Sequence, residues 1–320
     1  MIVVGAGPSG IASALALKDA GVRALVLDRA DHVAAAWRGR YDRLRLNTSR
    51  PLSHLPDRPF AKGTPMFQTR DLLVQHIERH AAEDGLELRL GTVVEEIMRD
   101  HGGWCVRTRR GDLHAAQVIV ATGYENRPVI PDWPGREAYP GRLREGPGGI
   151  PGDMIGVAML HLPTRVADAL ARFARRMSIG DLSEYGLPVP EEGPMTRLKR
   201  LGVAPAIVET DMIETIRAGG IEIVPAVDAF AGPAVRLAGG PTVQPDAVIC
   251  ATGYQRGLEP LVDSLDVLDE HGRPRAVGEQ AAAPGLRFIG YVPRPGGLGY
   301  AAAQAKRAAK AIVRELREPH

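Results

Sequence analysis

The first ten residues constrain this chain more than any other stretch. Ile2, Val3 and Val4 form a short apolar run that stops at Gly5, as a buried strand would. Gly5-Ala6-Gly7-Pro8-Ser9-Gly10 then fills the pattern G-x-G-x-x-G. From Pro8 to Ala20, the residues Ile11, Ala14, Leu15 and Leu17 recur at helical spacing, and Gly21 ends the pattern. Residues 24–27 are a second apolar run, which ends at Asp28. Strand, glycine turn, helix and strand within 28 residues make a βαβ unit. In that setting Gly5 permits the tight turn, Gly7 lets backbone approach a pyrophosphate, and Gly10 allows close helix–strand packing. N–H groups from Ser9 onward can hold phosphate at the positive end of the helix dipole. Asp28, 18 residues after Gly10, is placed to accept both ribose hydroxyls. The pattern predicts a dinucleotide site and does not by itself separate FAD from NAD.

Further along, residues 69–83 read as a helix capped by Thr69, with Leu72, Leu73, Ile77 and Ala81 on one face. Strands are expected at 87–90, 93–98, 104–108 and 117–121, with Gly102-Gly103 as a turn. Residues 127–152 are rich in Pro and Gly and read as a connection. A helix is expected over 164–177, a second irregular stretch over 186–205, and a short helix opened by the capping box Asp211-x-x-Glu214. Strands at 221–224, 247–251 and 286–289 and an Ala-rich helix over 301–316 complete the reading. One echo stands out: Val118-Ile119-Val120-Ala121-Thr122-Gly123-Tyr124 recurs as Val248-Ile249-Cys250-Ala251-Thr252-Gly253-Tyr254. Two strands leaving one domain at equivalent places, with a second domain inserted between them, would explain it.

Composition narrows the function classes. Hydrophobic residues make up 44% and charged residues 24% of 320, which excludes a largely disordered chain. A net charge of +2 offers no general attraction for nucleic acid or an anionic membrane, so neither is expected as a partner. Only five of the 40 basic residues are Lys, so Arg-rich runs carry little weight. The stripe Lys306, Arg307, Lys310, Arg314 and the group Arg172, Arg175, Arg176 read as solvated faces. Cys105 and Cys250 form no redox pair or zinc cluster, and the expected compartment is reducing and cytoplasmic. No apolar run approaches the roughly 20 residues needed to cross a bilayer, and the first residues do not read as a secretion signal. His76 and His80 have i,i+4 spacing but lack a third metal ligand; a solvated helix edge is expected and no metal site.

The paired Ala-Thr-Gly-Tyr strands turn the dinucleotide reading toward FAD, because the chain resembles the two-domain flavoproteins, and specifically the flavin-containing monooxygenases. The resemblance spans nearly the whole chain. It rests on residues 5–10, Asp28, Trp37, Arg43-Leu44-Arg45-Leu46-Asn47-Thr48, Pro65-Met66-Phe67-Gln68-Thr69-Arg70, Ala121-Thr122-Gly123-Tyr124 and Pro131-Asp132-Trp133-Pro134-Gly135. Gly180-Asp181-Leu182, Gly186-Leu187-Pro188-x-Pro190-x-x-Gly193, Ile221-Glu222-Ile223-Val224-Pro225 and Gly296-Gly297-Leu298 are similar to the subgroup that includes the plant auxin-forming YUCCA enzymes. The resemblance implies FAD held by Gly5, Gly7, Pro8, Ser9, Gly10, Asp28, Arg29, Trp37, Val94, Ala121, Thr122, Gly123 and Leu298, with Val94 serving adenine through its backbone. Asn47 aligns with a family Asn at the oxygen-reacting face of the flavin, as the candidate catalytic residue. Asn-Thr-Ser is also turn chemistry, and both readings stand.

The architecture so implied is α/β: a Rossmann-like FAD domain of residues 1–126 and 244–320, interrupted at 127–243 by a nicotinamide domain. That second domain is expected to be truncated. The family signature F/Y-x-G-x-x-x-H begins as Tyr139-Pro140-Gly141-Arg142-Leu143-Arg144, and Glu145 stands where His belongs. No second G-x-G-x-x-G lies between 145 and 250, and Gly146-Pro147-Gly148-Gly149 follows no buried strand. A βαβ unit takes about 30 residues, so its absence reads as a deletion. Such a deletion predicts a loosely packed region over 143–205, with Val166, Leu170 and Phe173 exposed or covered by a second copy in a homodimer. In the family NADPH reduces the flavin, which then uses O₂ to oxygenate a small organic substrate. Here NADPH use is expected to be impaired. The alternatives are a non-catalytic or regulatory FAD-binding protein, and an FAD oxidase or electron-transfer protein reduced by a partner.

Overall fold

The computed structural model describes residues 1–140, 142–145, 162–187, 189–201, 210–292 and 297–317. Gly146-Pro147-Gly148-Gly149, Pro188 and Gly296 lie outside the described residues. Two compact units divide the chain. Residues 1–127 and 255–320 form the first, and residues 128–254 the second.

The first unit is built on a five-stranded parallel sheet. Its strands are β1 (Ile2–Val4), β2 (Leu25–Leu27), β3 (Glu87–Arg89), β7 (Val118–Val120) and β8 (Leu286–Phe288), in the order β8-β7-β1-β2-β3. A three-stranded antiparallel sheet of β4 (Val94–Asp100), β5 (Gly103–Thr108) and β6 (Leu113–Ala115) lies between β3 and β7 in sequence. Side chains alternate across the parallel sheet, as strand geometry requires. Ile2, Val4, Val118, Val120, Leu286 and Phe288 face a core shared with Ile97, Trp104 and Val106 of the antiparallel sheet. Val3, Val26 and Ile119 face the other way, into a core with three helices: α1 (Pro8–Asp19), α3 (Arg70–Glu83) and α4 (Gly297–Arg317).

In α1, residues 10–17 are all buried, not one stripe alone, because both the sheet and α4 cover it. Small residues make that fit: Ala12, Ala14 and Ala16 share a core with Ala302, Ala305, Ala308 and Ala309. Thr69 caps α3 as expected, its hydroxyl accepting from Leu72 N at 3.3 Å. His76 departs from the expected solvated edge. It is 4% exposed, stacks on Phe60 at 4.0 Å, and bonds through Nε2 to Arg58 O at 3.1 Å. Of the basic stripe on α4, Lys306 bonds to Asp57 at 2.7 Å and Arg307 pairs with Glu279 at 3.4 Å.

In the second unit, Ala247–Cys250 pairs in parallel with Arg142–Glu145. The second compact unit runs through Tyr254, beyond the expected return at 244. The second Ala-Thr-Gly-Tyr therefore ends a strand of its own unit and does not leave the first. Residues 221–224 are not a strand. Ile221 and Val224 are exposed, and Pro225 has no N–H to give a ladder. The meander follows instead, as Val227–Ala231, Ala234–Leu237 and Thr242–Val243. Trp133 and Tyr139 pack on Phe230 in its small core. Asp211 lies within the helix Thr210–Arg217.

The helix Thr164–Ser178 leaves Val166 46%, Leu170 48%, Phe173 66% and Met177 75% exposed. Its buried side carries Asp168, which accepts from Met195 N at 2.7 Å and Thr196 N at 3.2 Å and so caps the helix Pro194–Leu201. A methyl on Gly193 would overlap the Asp168 carboxylate. Among the described residues no helix is long and apolar enough to cross a membrane.

Burial pushes the His76 imidazole down to about 4, with His80 and Arg79 adding repulsion. The unfolded chain then binds the extra proton between roughly pH 6.5 and 4, so His76 contributes stability at neutral pH that is lost as pH falls through that window. Thermal melts of wild type and His76→Leu are expected to converge as pH is lowered from 7 to 4, with the wild type falling faster. Gly193→Ala is expected to cost about 2 kcal/mol by displacing Asp168 from its amide donors, read from chemical denaturation.

Candidate functional site

The strand order reverses between β1 and β7: from β1 the chain builds outward through β2 and β3, then returns to β7 and β8 on the other side. Ligands of such sheets bind outside the carboxyl ends of the strands at this point. The loops there are Gly5-Ala6-Gly7 after β1 and Ala121-Thr122-Gly123 after β7.

The three glycines of the turn do different work. Gly5 has φ +110°, and a methyl there would lie 2.5 Å from Ala121 O. A methyl on Gly10 would overlap the Gly5 carbonyl oxygen. Gly7 faces open space, with nothing within 4 Å of a built Cβ. Two glycines thus pull turn, helix and neighbouring loop together, and the third leaves a cradle at the start of α1. Pro8 occupies the first helical turn, and the Ser9 carbonyl accepts from Ser13 Oγ at 2.7 Å. The residues present fit a dinucleotide pyrophosphate.

Asp28 ends β2 beside this turn. Its Oδ2 accepts from Ala6 N at 2.6 Å and its Oδ1 from Ala30 N at 2.8 Å. The carboxylate is thereby oriented, and each oxygen keeps acceptor capacity for a ribose hydroxyl. Thr92 N donates to Asp28 O at 2.7 Å, which brings Val94, two residues on, to the same edge. Arg29 is exposed and reaches Asn126 Oδ1 at 2.9 Å. Ala34, in the left-handed region at φ 57°, donates to Ala6 O at 3.0 Å. It opens α2 (Ala35–Arg38), which carries Trp37 half-buried against the helix-side core.

Asn47 lies on a loop whose backbone pairs with 66–70: Leu46 N donates to Gln68 O at 2.7 Å. The hydroxyls of Thr48 and Ser53 supply the loop's side-chain bonds, 2.5 Å apart, and the Asn47 amide makes no hydrogen bond among the described residues. Turn capping therefore falls to its neighbours. The structure does not bring Asn47 into bonding contact with the glycine turn. Leu298 sits in the first turn of α4, half-buried against the core, and a methyl on neighbouring Gly299 would lie 2.5 Å from Leu52 O.

Three participants escaped the sequence reading. Tyr291, 3% exposed, closes the loop after β7: its phenol oxygen accepts from Thr122 N at 3.1 Å and bonds Thr122 Oγ1 at 2.7 Å. Burial raises this phenol well above the usual tyrosine range, so it stays protonated. Gly290 has φ +86°, and a methyl there would strike the Ser9 hydroxyl. Ala34 is the third. The only advance sign was Gly290-Tyr291 at the end of an apolar run. A surface hollow of about 560 Å³ lies at the far end of α1, roughly 16 Å from the turn. It is lined by Asp19, Asp57, Arg58, His80, Glu83 and Asp84, and Arg58 pairs there with Asp19 at 2.8 Å and Asp84 at 2.7 Å.

Residues 2–145 match the family described as pyridine nucleotide-disulphide oxidoreductase. The chain is 30% identical over 376 residues to indole-3-pyruvate monooxygenase YUCCA1 of Oryza sativa subsp. japonica, covering 99% of this chain and 92% of that protein. It is similar in structure to a flavin-containing monooxygenase from Stenotrophomonas maltophilia, with a TM-score of 0.70 at 20% identity over 98% of each chain. The bacillithiol disulfide reductase Bdr (YpdA) of Bacillus cereus gives 0.72 at 18% identity over 99% of this chain and 98% of that one. The fold is that of a two-domain FAD/NAD(P)-binding oxidoreductase.

The division among the glycines is testable. Gly7→Val is expected to leave thermal stability within about 0.5 kcal/mol and to abolish FAD uptake, because its side chain fills only the cradle. Gly10→Ala is expected to lose about 2 kcal/mol or more whether or not FAD is added. Thermal unfolding of the flavin-free protein, set beside FAD titration, separates the two.

Proposed function

The chain belongs to the YUCCA-like flavin-containing monooxygenases, and on that premise we propose that it holds FAD at the carboxyl ends of β1 and β7, oxygenates a small organic substrate with O₂, and uses NADPH poorly. At family level it is an FAD-dependent oxidoreductase of the monooxygenase type. Bound FAD supplies the redox chemistry, accepting two electrons and passing them to O₂. The open cradle at Gly7 carries the FAD reading.

The chain's own residues bind, orient and shield. Backbone N–H groups from Ser9 onward hold the pyrophosphate, and Asp28 the ribose. The Ala121-Thr122-Gly123 loop, kept in place by the Tyr291 phenol, would line the cofactor site. Trp37 and Leu298 contribute apolar surface that excludes water. The Asn47 amide, which no described residue engages, is a hydrogen-bond donor and acceptor for a reacting oxygen.

Impaired NADPH use is supported by the inserted unit. Between 145 and 250 the sequence holds no second glycine fingerprint. Among the described residues of that unit, the parallel strands are Arg142–Glu145 and Ala247–Cys250. The rice alignment runs over 376 residues against a chain of 320, so that relative carries residues with no counterpart here. Hydride transfer needs the nicotinamide placed against the flavin, and a misplacement of about 1 Å costs on the order of a hundredfold. A second reading, an electron-transfer flavoprotein reduced by a partner protein, is supported by the exposed row Val166, Leu170, Phe173 and Met177, which a partner or a second copy of the chain would cover.

Anaerobic rapid mixing of the flavin-loaded protein tests this. Dithionite is expected to bleach the flavin fully, while NADPH does so slowly and with no saturation at ordinary concentrations. Fast, saturable bleaching by NADPH would overturn the impairment. A protein that neither carries FAD nor takes it up would overturn the flavin reading itself.

A further inference from the structure

The contact between Tyr291 and Thr122 allows its hydrogens one arrangement. Tyr291 follows β8, and its ring rests edge-on against Phe288 with centres 5.8 Å apart. Both rings belong to the core that the parallel sheet shares with β4 and β5. A phenol carries one hydrogen and can donate and accept at the same oxygen. Two groups of Thr122 meet that oxygen, the backbone N at 3.1 Å and Oγ1 at 2.7 Å.

The amide can only donate, so the phenol oxygen accepts from it. The phenol hydrogen then needs an acceptor, and among the described residues the one it reaches is Thr122 Oγ1. The reverse arrangement, with the threonine hydroxyl donating to the phenol, would strand a donor inside an apolar core, which native interiors avoid. Tyr291 therefore donates and Thr122 Oγ1 accepts. The hydroxyl hydrogen of Thr122 is turned away from the phenol, and among the described residues it meets no acceptor.

Thr122 is half-buried and carries this hydrogen beside the glycine turn. A methyl on Gly5 would lie 3.2 Å from Thr122 N, and Ala121 N donates to Val4 O at 2.8 Å. The hydroxyl thus stands on a loop pinned to the carboxyl ends of β1 and β7. A β-branched side chain has few χ1 rotamers, and the phenol selects among them. A donor oriented in advance loses less freedom when a ligand binds.

We propose that Tyr291 is a positioning residue that fixes the Thr122 hydroxyl as a one-way donor, and that this donor meets an acceptor oxygen or nitrogen of bound FAD. The proposal rests on the flavin reading. It assigns a directed side-chain donor to a loop that otherwise offers backbone groups alone.

Titration of the flavin-free full chain with FAD, followed by flavin fluorescence, tests it in a double-mutant cycle. Thr122→Val, which keeps the shape and removes the hydroxyl, is expected to weaken FAD binding about tenfold. Thr122→Ser keeps the hydroxyl and is expected to stay within about threefold of wild type. Tyr291→Phe is expected to weaken binding by less than Thr122→Val does. The double variant is expected to bind no more weakly than Thr122→Val alone, because the phenol has no hydroxyl left to direct. If Thr122→Val does not fold, Thr122→Ala takes its place in the cycle. Losses that multiply in the double variant overturn the positioning role, since a merely structural effect of Tyr291 would persist without the hydroxyl. Equal binding by wild type and Thr122→Val, or a loss in Thr122→Ser as large as in Thr122→Val, overturns the donor. Wild type that takes up no FAD overturns the flavin reading and this proposal with it, whereas uptake indifferent to Thr122→Val overturns this proposal alone.

Discussion

The backbone contact between the first turn and the loop after β7 governs everything built around it. Gly5 approaches Ala121 O so closely that a methyl would lie 2.5 Å away, and Gly10 approaches the Gly5 carbonyl more closely still. No side chain larger than hydrogen fits at either place, so strand, turn and helix lock as one piece. Locking leaves the Gly7 face open and points the start of α1 along it. Asp28, Ala34 and Tyr291 then attach to the locked piece through its own amides: Ala6 N, Ala6 O and Thr122 N. The site is a consequence of a packing requirement, and its polar groups are arranged by backbone as much as by side chains.

Much of this was legible because the signals were local. The glycines, the apolar runs of β1, β2 and β7, the Thr69 cap and the α3 face all announce themselves within a few residues. What stayed hidden was long-range. His76 looks like a solvated edge until Phe60 is seen stacked on it from outside the helix. Tyr291 lies 169 residues from the Thr122 it holds, and no spacing rule joins them. The meander over 227–243 was overlooked because its strands are short and half-exposed, while the more apolar 221–224 carries a proline at its end.

The inserted unit shows how family motifs can be structural. Gly193 exists to admit the Asp168 carboxylate to the start of a helix, and Gly135 to let the chain lie on the Phe230 backbone. The helix Thr164–Ser178 buries Ala167 and Asp168 and presents its large apolar residues outward. A helix normally hides its larger residues, and here the pattern is reversed.

The pairing of α1 with α4 bears on how the chain comes into being. The first helix ends at Asp19 and its partner begins at Gly297, so the whole stretch between them must leave the ribosome before they can meet. The edge strand β8 arrives equally late, at Leu286. Contacts of such wide sequence separation form slowly. The inserted unit, continuous from Pro128 to Tyr254, can collapse while the apolar flank of α1 and one edge of β7 still wait for their neighbours. Until α4 and β8 are made, the first unit is therefore an incomplete fold with exposed hydrophobic surface, the state that chaperones recognise.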